Sequence, residues 1–434
     1  MLAVKTQITV FEFGYMGFCE KALRSSKINA ISKSAYDYLK SLCICDDSES
    51  RFLRIRQVDN CEVLQVKNYA GVLFTPDGTQ IEVLPKVAKN ISKDASRKSL
   101  LMMLKTLQQF RHLQINSANL AENKMPLLEV FITQFLTSIN TLVKRGLRSD
   151  YLLKEDNTTF LKGKLLIGKQ AKHNFINKHK FYIEYEEYLQ DRPINRLIHT
   201  ALIKVNGYSR SANNQRLIQE LLFVFAEIPT SNNVKKDFAN IKLDRGMQHY
   251  EVPLTWTKLI IDGFSPLTLQ GNNSAFSLLF PMEAVFESFV AKYLKMHIKA
   301  PNTVSAQINS KSLVDYNTTS YFKLKPDLYI SSANNKDIIL DTKWKLVNEE
   351  SSNRSEKFGL SQADFYQMLG YGHTYLNGKG NLVLIYPKTD SFSTAFPHSF
   401  NYEGGMLRLW VVPFDIEAKC ESRIDLSCVL ADSI

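Results

Sequence analysis

The order of apolar and polar positions divides the chain into a β-rich beginning, a helical middle and a mixed end. Near the beginning, residues 62–66, 71–74 and 79–84 are short apolar or alternating runs typical of strands. Residues 75–78 read Thr-Pro-Asp-Gly, with Pro at the second and Gly at the fourth position of a turn. The pattern therefore predicts a β-hairpin, and helical spacing over residues 34–42 predicts a helix before it.

A change of period, from strand-like to helical, marks the middle of the chain. Apolar residues recur there at steps of three and four, as on one face of a helix, at Leu100, Leu101, Leu104, Leu107 and Phe110. Pro126 is predicted to open a second helix that ends near Gly146, and residues 194–205 and 217–225 continue the helical pattern. Residues 270–274 are polar and turn-rich, which makes them the predicted domain boundary.

Helices and strands are mixed in the last part of the chain. The predicted elements are a helix at 281–297, strands at 322–330 and 337–344, a helix at 362–376, and strands at 381–386 and 406–412. Residues 331–336 form a polar turn between the first two strands, and Ser361 is the predicted N-cap of the second helix. This order is typical of a mixed α/β core.

The three patterns together predict a mixed α/β protein with three domains. Residues 1–95 are interpreted as a β-rich N-terminal domain, residues 96–270 as a mainly helical middle region, and residues 271–434 as a C-terminal α/β domain.

Candidate chemistry is concentrated in the predicted hairpin of the C-terminal domain. Asp341 and Lys343 are two residues apart on one predicted strand, so both side chains leave the same face. Folding the hairpin about Asn334 places Asp327 opposite Asp341, where facing Cβ atoms lie ~4.5–5.5 Å apart. Because two such close carboxylates repel each other, the arrangement favours a divalent cation between them, and oxygen ligands favour Mg²⁺ or Mn²⁺. The alternative is an edge hairpin in which an Asp and a Lys occur by chance.

Three further residues in the same region extend the candidate site. Glu287 lies on the predicted helix before the hairpin, where a third carboxylate could reach a metal ion. Gln367 and Tyr371 are four apart on the following helix and therefore share a face. Each has an alternative interpretation, as an exposed helix charge for Glu287 and as a partly buried polar pair for the other two.

Net charge and composition bear on the partner and the compartment. The formal net charge of +11 suits a polyanion such as nucleic acid. The basic residues 145–148 and 172–180 either track a DNA backbone or form solvated surfaces. The first residues lack a signal-peptide pattern, and no apolar run approaches the ~20 residues of a membrane span. A soluble, cytoplasmic protein without membrane contact is expected.

The order of the candidate residues resembles the PD-(D/E)xK nucleases, in the branch that carries a Gln-x-x-x-Tyr motif, as in RecB-like nucleases. By this resemblance Glu287 is the helix acid, Asp327 with Pro326 is the first motif, Asp341 and Lys343 are the second, and Gln367 and Tyr371 are the last. The resemblance implies a restriction-endonuclease-like C-terminal domain. It also implies that Asp327, Asp341, Lys343, Glu287, Gln367 and Tyr371 are catalytic, and that Asp327, Asp341 and Glu287 bind Mg²⁺ or Mn²⁺.

Longer blocks are similar to the McrC family, the nuclease subunits of McrBC-type, modification-dependent restriction systems. The blocks lie at residues 68–72, 78–85, 145–148, 161–164, 191–195, 286–290, 363–371 and 384–387. The resemblance covers nearly the whole chain and implies a Mg-dependent DNA endonuclease subunit. It further implies a partner, a McrB-like hexameric AAA+ GTPase, which the N-terminal half binds and stimulates on double-stranded DNA. No GxxxxGK[ST] motif occurs in this chain, which agrees with nucleotide hydrolysis by a separate subunit.

Two other functions stay open at this point. One is a nuclease-inactive adaptor that binds and stimulates an AAA+ motor on DNA. The other is a nucleic-acid-binding module unrelated to cleavage. The complete set of Asp327, Asp341 and Lys343 argues against the adaptor.

Overall fold

The chain folds into two compact units. The computed structural model describes residues 7–18, 27–45, 52–86, 92–107, 126–262, 277–317, 319–332, 337–351, 355–417, 423–427 and 429. The first unit combines Met1–Lys124 with Phe264–Ile434, and the second is Met125–Gly263. The first unit therefore joins the two ends of the chain, while the division into three functional domains stays a prediction.

The secondary structure of the described residues mixes helices and strands throughout. The strands are β1 (Gln7–Phe11), β2 (Tyr15–Gly17), β3 (Ile28–Ala30), β4 (Leu53–Val58), β5 (Cys61–Val66), β6 (Tyr69–Phe74), β7 (Gln80–Leu84), β8 (Asp150–Thr158), β9 (Lys164–Leu165), β10 (Phe181–Leu189), β11 (Ser277–Pro281), β12 (Thr303–Ala306), β13 (Lys311–Tyr316), β14 (Thr319–Leu324), β15 (Leu328–Ser331), β16 (Ile338–Thr342), β17 (Gly380–Pro387), β18 (Phe400–Asn401) and β19 (Leu407–Phe414). The α-helices are α1 (Lys33–Cys45), α2 (Lys93–Leu104), α3 (Leu127–Arg145), α4 (Ile167–His173), α5 (Pro193–Asn206), α6 (Ala212–Val224), α7 (Val234–Ala239), α8 (Glu251–Asp262), α9 (Met282–His297) and α10 (Gln362–Leu376).

The N-terminal part of the first unit contains two four-stranded sheets, in the orders β1-β7-β6-β11 and β3-β2-β5-β4. The predicted hairpin is confirmed, because β6 and β7 pair antiparallel. At its turn Gly78 has a φ of +82°, a value that favours glycine, and its N–H donates to Thr75 O at 2.9 Å. The predicted helix at 34–42 is also present, as α1. Strand β11, which the pattern did not predict, completes the first sheet from residues 277–281.

The C-terminal part of the first unit is built on a six-stranded sheet in the order β12-β15-β16-β17-β19-β18. Strands β15 and β16 pair antiparallel, whereas β16, β17 and β19 are parallel to one another. Helix α10 packs on this sheet through Met368 and Tyr371, which share a core with Leu382, Leu384 and Leu409. Every residue of β16 is buried, so the sheet holds this strand rigidly at its centre.

The predicted strand at 322–330 is wrong in one respect, because it is two strands. Strand β14 ends at Leu324 and β15 begins at Leu328, with Pro326 between them. Proline has no N–H for a ladder and restricts the residue before it, which explains the break. Strands β12 and β13 were not predicted, so the order of elements after α9 contains more strands than the pattern indicated. Strand β16 ends at Thr342, and the backbone N–H of Lys343 extends the pairing with β17 by one hydrogen bond to Ile385 O.

The helix predicted to begin near residue 99 starts earlier. Helix α2 begins after Ser92, whose side chain accepts from Ala95 N, and it ends at Leu104. Phe110 and the predicted boundary at 270–274 lie outside the described residues.

The second unit contains the predicted helices and an unpredicted sheet. Helix α3 follows Pro126 and ends at Gly146, which has a φ of +92°, as the sequence indicated. Strands β8, β10 and β9 form an antiparallel sheet within the region expected to be mainly helical. Strand β8 is exposed or half-exposed along its whole length, so it lacks the alternation that identifies a half-buried strand. Across the part of the chain that the structure describes, no helix is long and apolar enough to cross a membrane.

Candidate functional site

The antiparallel pair β15 and β16 sets the geometry of the site. Leu328 pairs with Leu340, and the same register places Asp327 opposite Asp341 immediately beyond the last pair. The predicted register, with residue 327 opposite residue 341, is therefore confirmed, although the turn at 333–336 lies outside the described residues. Directly opposed side chains of this kind lie close enough to interact.

Asp341 is the most deeply buried carboxylate of the site, with 1% of its surface exposed. Burial, followed by the negative charge of Asp327, raises the pKa of Asp341 to about 7, against the opposing effect of Lys343. Lys343 Nζ lies 2.7 Å from Asp341 Oδ2 as an ion pair, yet this oxygen has no hydrogen bond of suitable geometry among the described residues. Asp341 thus keeps a buried acceptor oxygen with unused capacity.

Thr342 orients Asp327. The Thr342 backbone N–H and hydroxyl group both donate to Asp327 Oδ2, at 2.8 and 2.6 Å. The other carboxylate oxygen of Asp327 is not engaged by either bond. Strand alternation places the Thr342 side chain on the face opposite to that of Asp341. Its hydroxyl group still belongs to the site, because it donates to Asp327.

Lys343 is held by a chain of hydrogen bonds that runs along α10. Lys343 Nζ donates to Gln367 Oε1 at 2.9 Å, and Gln367 Nε2 donates to Tyr371 Oη at 2.7 Å. Tyr371 Oη in turn donates to the Lys325 carbonyl oxygen at 3.0 Å, next to Pro326. Burial alone lowers the pKa of Lys343, but Asp341 and other nearby carboxylates outweigh it and raise the pKa overall. The ammonium group therefore stays charged.

Asp364 is a site residue that the sequence reasoning missed. This buried carboxylate at the start of α10 accepts from Lys345 Nζ at 2.9 and 3.0 Å and lies 4.0 Å from Lys343 Nζ. Tyr386 Oη also donates to it, at 3.4 Å. Its position three residues before Gln367, on the same helix face, is the signal that could have identified it.

Glu287 lies beside this network on α9. Burial and then the negative charge of Asp327 raise the pKa of Glu287, while a hydrogen bond from Gln307 Nε2, at 2.9 Å, opposes the shift. The electrostatic effect of Asp327 shows that Glu287 belongs to the same neighbourhood. Unlike Gln367 and Tyr371, it has no hydrogen bond to another candidate residue in the described part of the chain.

The carboxylates are suited to a divalent cation by their chemistry. Asp327 and Asp341 face each other with oxygen donors only, and Asp341 Oδ2 retains acceptor capacity in a buried position. A cation between them would offset the repulsion that raises the pKa of Asp341. Among the described residues, however, no group of three or more His, Cys, Asp or Glu side chains is arranged to hold a metal ion. The facing pair therefore fits a cation, and Glu287 is a nearby charge whose ligand role stays a prediction.

Comparison with known proteins relates most of the chain to one family. Residues 64–387 match the model of the family described as McrBC 5-methylcytosine restriction system component. A curated relative, the Type IV methyl-directed restriction enzyme EcoKMcrBC of Escherichia coli strain K12, is 21% identical over 290 residues. The match spans 64% of this chain and 81% of that protein.

One solved structure shows a similar fold over nearly the whole chain. A chain in the tetradecameric assembly of Thermococcus gammatolerans McrB AAA+ hexamers with bound McrC matches with a TM-score of 0.67 and 19% identity, covering 99% of this chain and 100% of that chain. This likeness confirms the predicted mixed α/β fold. A chain of the T. gammatolerans McrBC complex, solved by cryo-EM, matches at 22% identity over 66% of this chain and 87% of that chain, with a TM-score of 0.47.

Proposed function

Because the chain belongs to the McrBC 5-methylcytosine restriction system component family, we propose that it is the DNA-cleaving subunit of a nucleotide-dependent restriction complex. One observation carries the proposal: two carboxylates, Asp327 and Asp341, face each other beside the charged Lys343. An acidic pair with one buried member, Asp341, next to an ammonium group suits hydrolysis of a phosphodiester, whose attack builds negative charge on the phosphate.

The residues around the pair have separable roles in this proposal. Asp327 and Asp341, with Glu287 as a third carboxylate, would hold Mg²⁺ or Mn²⁺. The cation would lower the pKa of a bound water molecule and polarise the phosphate. Lys343 would stabilise the developing negative charge, and Gln367 and Tyr371 would hold its ammonium group in place.

Thr342 and Asp364 are positioning residues. Thr342 fixes one carboxylate oxygen of Asp327. Asp364 pairs with Lys345 and lies 4.0 Å from Lys343 Nζ, so its negative charge favours the charged form of Lys343. Neither residue needs to contact the substrate to affect the reaction.

The proposed partners are double-stranded DNA and a hexameric AAA+ motor that resembles McrB and hydrolyses GTP, or alternatively ATP. The similar chain of T. gammatolerans occurs in an assembly with McrB AAA+ hexamers, which supports this partner. The absence of a GxxxxGK[ST] motif from the sequence also supports a separate motor. We expect the chain to stimulate the nucleotide hydrolysis of that motor in the cytoplasm.

A second function, a nuclease-inactive adaptor that stimulates the motor on DNA, requires the same partner but no cleavage. The ordered contacts of Lys343 with both Asp341 and Gln367 favour the nuclease, since an adaptor has no use for them.

The test is cleavage of a supercoiled plasmid by the full chain, with and without the motor and nucleotide. Methylated and unmethylated DNA are compared in Mg²⁺ and in EDTA. We expect cleavage that needs Mg²⁺, nucleotide and motor, and negligible nucleotide hydrolysis by the chain alone. Stimulation of the motor with intact plasmid under every condition would establish the adaptor instead.

A further inference from the structure

Strands β13 and β14 form a two-stranded ribbon that belongs to none of the three larger sheets of the first unit. Its strands are exposed at nearly every position, and Leu313, Val314, Tyr316, Tyr321 and Phe322 are large apolar residues on it. An isolated two-stranded ribbon is marginally stable in water, and exposed aromatic residues add no stability to it. The composition of the ribbon therefore points to a surface that is covered by a partner.

The base of the ribbon is fastened to α10, the helix that carries Gln367 and Tyr371. Lys311 Nζ donates to Thr374 O at 2.8 Å, and Tyr375 Oη donates to Leu324 O at 3.0 Å. The chain then runs directly from Leu324 to Asp327 through Lys325, whose carbonyl oxygen accepts from Tyr371. The base of the ribbon is therefore joined to Asp327 through residues 325 and 326 alone.

The two faces of the ribbon differ. Leu313 faces α10, since a Cβ atom added to Gly370 would meet Leu313 Cδ1 at 3.8 Å. Opposed and alternating positions place Val314, Tyr316, Tyr321 and Lys323 on the other face, which is exposed. The rings of Tyr316 and Tyr321 contact each other edge to face at 6.5 Å and form an aromatic patch with a lysine beside it.

Phe322 departs from this alternation. It has a φ of +56°, which is rare and costly for a bulky residue, and 74% of its surface is exposed. The pair that it would form with Leu313 is absent from the ladder, while the pairs on either side are present. A strained backbone that turns an aromatic ring to solvent is typical of a binding element.

We propose that the ribbon β13–β14 binds duplex DNA at the cleavage site, with Tyr316 and the exposed Phe322 against the bases and Lys323 on a phosphate. The inference deepens the proposed function by naming the residues that hold the substrate. A two-stranded ribbon fits a DNA groove, and aromatic side chains can stack on or wedge between bases. Lys311, Lys323 and Lys325 against the single acid Asp315 give residues 311–325 a positive balance that suits the phosphates.

The test measures DNA binding without cleavage, by fluorescence anisotropy of a labelled duplex with the full chain in EDTA. The double variant Tyr316→Ala/Phe322→Gly is expected to raise Kd roughly tenfold. Glycine suits the φ of residue 322, so this change does not strain the fold. Lys323→Ala is expected to lower the salt dependence of binding by about one phosphate contact. Phe223→Ala, at an 84% exposed residue of the second unit, is the matched control and should leave Kd unchanged.

Two results would overturn the inference, and neither depends on whether the chain cleaves DNA. One is an unchanged Kd for the double variant, with normal thermal melting. The other is loss of self-association in sedimentation with DNA binding intact, which would make the ribbon an interface between copies of the chain. If the variants weaken DNA binding but the protein never cleaves DNA, the proposed function is wrong and the inference about the ribbon stands.

Discussion

The side chains around Asp341 form a network in which each functional group is held by another. Lys343 is placed by Asp341 and Gln367, and Asp327 is placed by Thr342. The spacing of Asp341 and Lys343 and the centre of the polar turn were enough to predict the facing acids. The role of Thr342 could not be predicted in the same way, because it depends on the break at Pro326, whereas the helical spacing of Asp364 and Gln367 was a signal that went unused.

The first prediction concerns the acidic pair and the lysine. Asp341→Ala and Lys343→Ala should each reduce DNA cleavage by ~10²-fold or more, because a metal ligand or a charge-stabilising donor is lost. Stimulation of the motor should persist in both variants. Plasmid cleavage and nucleotide hydrolysis are measured on the same complex.

Lys388→Ala is the matched control, since Lys388 forms a surface ion pair with Asp415 in the same unit. It should leave both activities near the wild-type level. Cleavage retained by Asp341→Ala would show that the active site lies elsewhere.

The second prediction concerns Thr342. Replacing it with Val removes the hydroxyl group that donates to Asp327 and keeps the size of the side chain. Thr342→Val should need more Mg²⁺ for half-maximal cleavage, because Asp327 then keeps only the bond from the Thr342 backbone N–H and is less well oriented. Thr342→Ser keeps the hydroxyl group and should restore the Mg²⁺ requirement. An identical Mg²⁺ titration for the Val and Ser variants would rule out the positioning role.

At the scale of elements, the sequence pattern predicted mainly those helices and strands that have a buried apolar face. The β6–β7 hairpin and helix α3 were predicted because their apolar residues face a core with a clear period. Strands β8 and β13 were not, since most of their residues are exposed and show no alternation. Exposure is not the only cause, because the buried strand β11 also escaped prediction, and its pairing partner β6 lies far earlier in the sequence.

The third prediction tests how closely α10 packs on its sheet. A Cβ atom on Gly372 would lie 2.8 and 2.9 Å from the Cδ atoms of Leu407. Gly372→Val should push the helix away, destabilise the protein by ~1–3 kcal/mol and lower cleavage, since α10 also carries Gln367. Urea unfolding and plasmid cleavage are the measurements.

Gly168→Ala is the control for this substitution, because Gly168 lies in helix α4 with nothing within 4 Å of an added Cβ atom. The free energy of unfolding of the Gly168→Ala protein should rise by ~0.5–1 kcal/mol through the higher helix propensity of Ala. A Gly372→Val protein as stable as the wild type would mean that α10 does not pack as described.

At the scale of the whole molecule, the N-terminal strands and the segment that follows β16 meet at one buried carboxyl group. Glu12 follows β1 directly and is 1% exposed. It accepts from Lys86 N at 3.0 Å and from Trp344 Nε1 at 3.0 and 3.1 Å. Trp344 follows Lys343, and its ring contacts Phe286, the neighbour of Glu287, at 5.3 Å. The contact links the two ends of the chain beside the proposed active site, and no local sequence pattern indicates it.

The last prediction follows from the charge of Glu12. Burial, only partly offset by the hydrogen bonds from Lys86 and Trp344, raises its pKa from 4.5 to about 8. The folded protein therefore binds this proton more tightly than the unfolded chain does. The stabilisation that this proton provides is complete below pH 4.5 and decreases as the pH rises towards 8. Above about pH 8 the free energy of unfolding no longer changes through this group. The change amounts to a few kcal/mol of unfolding free energy.

Glu12→Gln cannot titrate, so its free energy of unfolding should lack this decline between pH 5 and pH 8. Urea unfolding of both proteins across that range measures the difference. Trp344 provides a second readout, because an ionised carboxylate beside its indole N–H should shift the tryptophan fluorescence with a midpoint near pH 8 in the wild type only.

The control is Glu62→Gln. Hydrogen bonds from Lys40 and Tyr36 lower the pKa of Glu62, so its contribution is lost only as the pH falls below 4.5 and stays constant over the measured range. Equal slopes for wild type and Glu12→Gln, with no fluorescence transition, would show that Glu12 does not carry a proton at neutral pH. The N-terminal strands would then be joined to Trp344, in the segment after β16, by an ionised carboxylate rather than by a neutral acid.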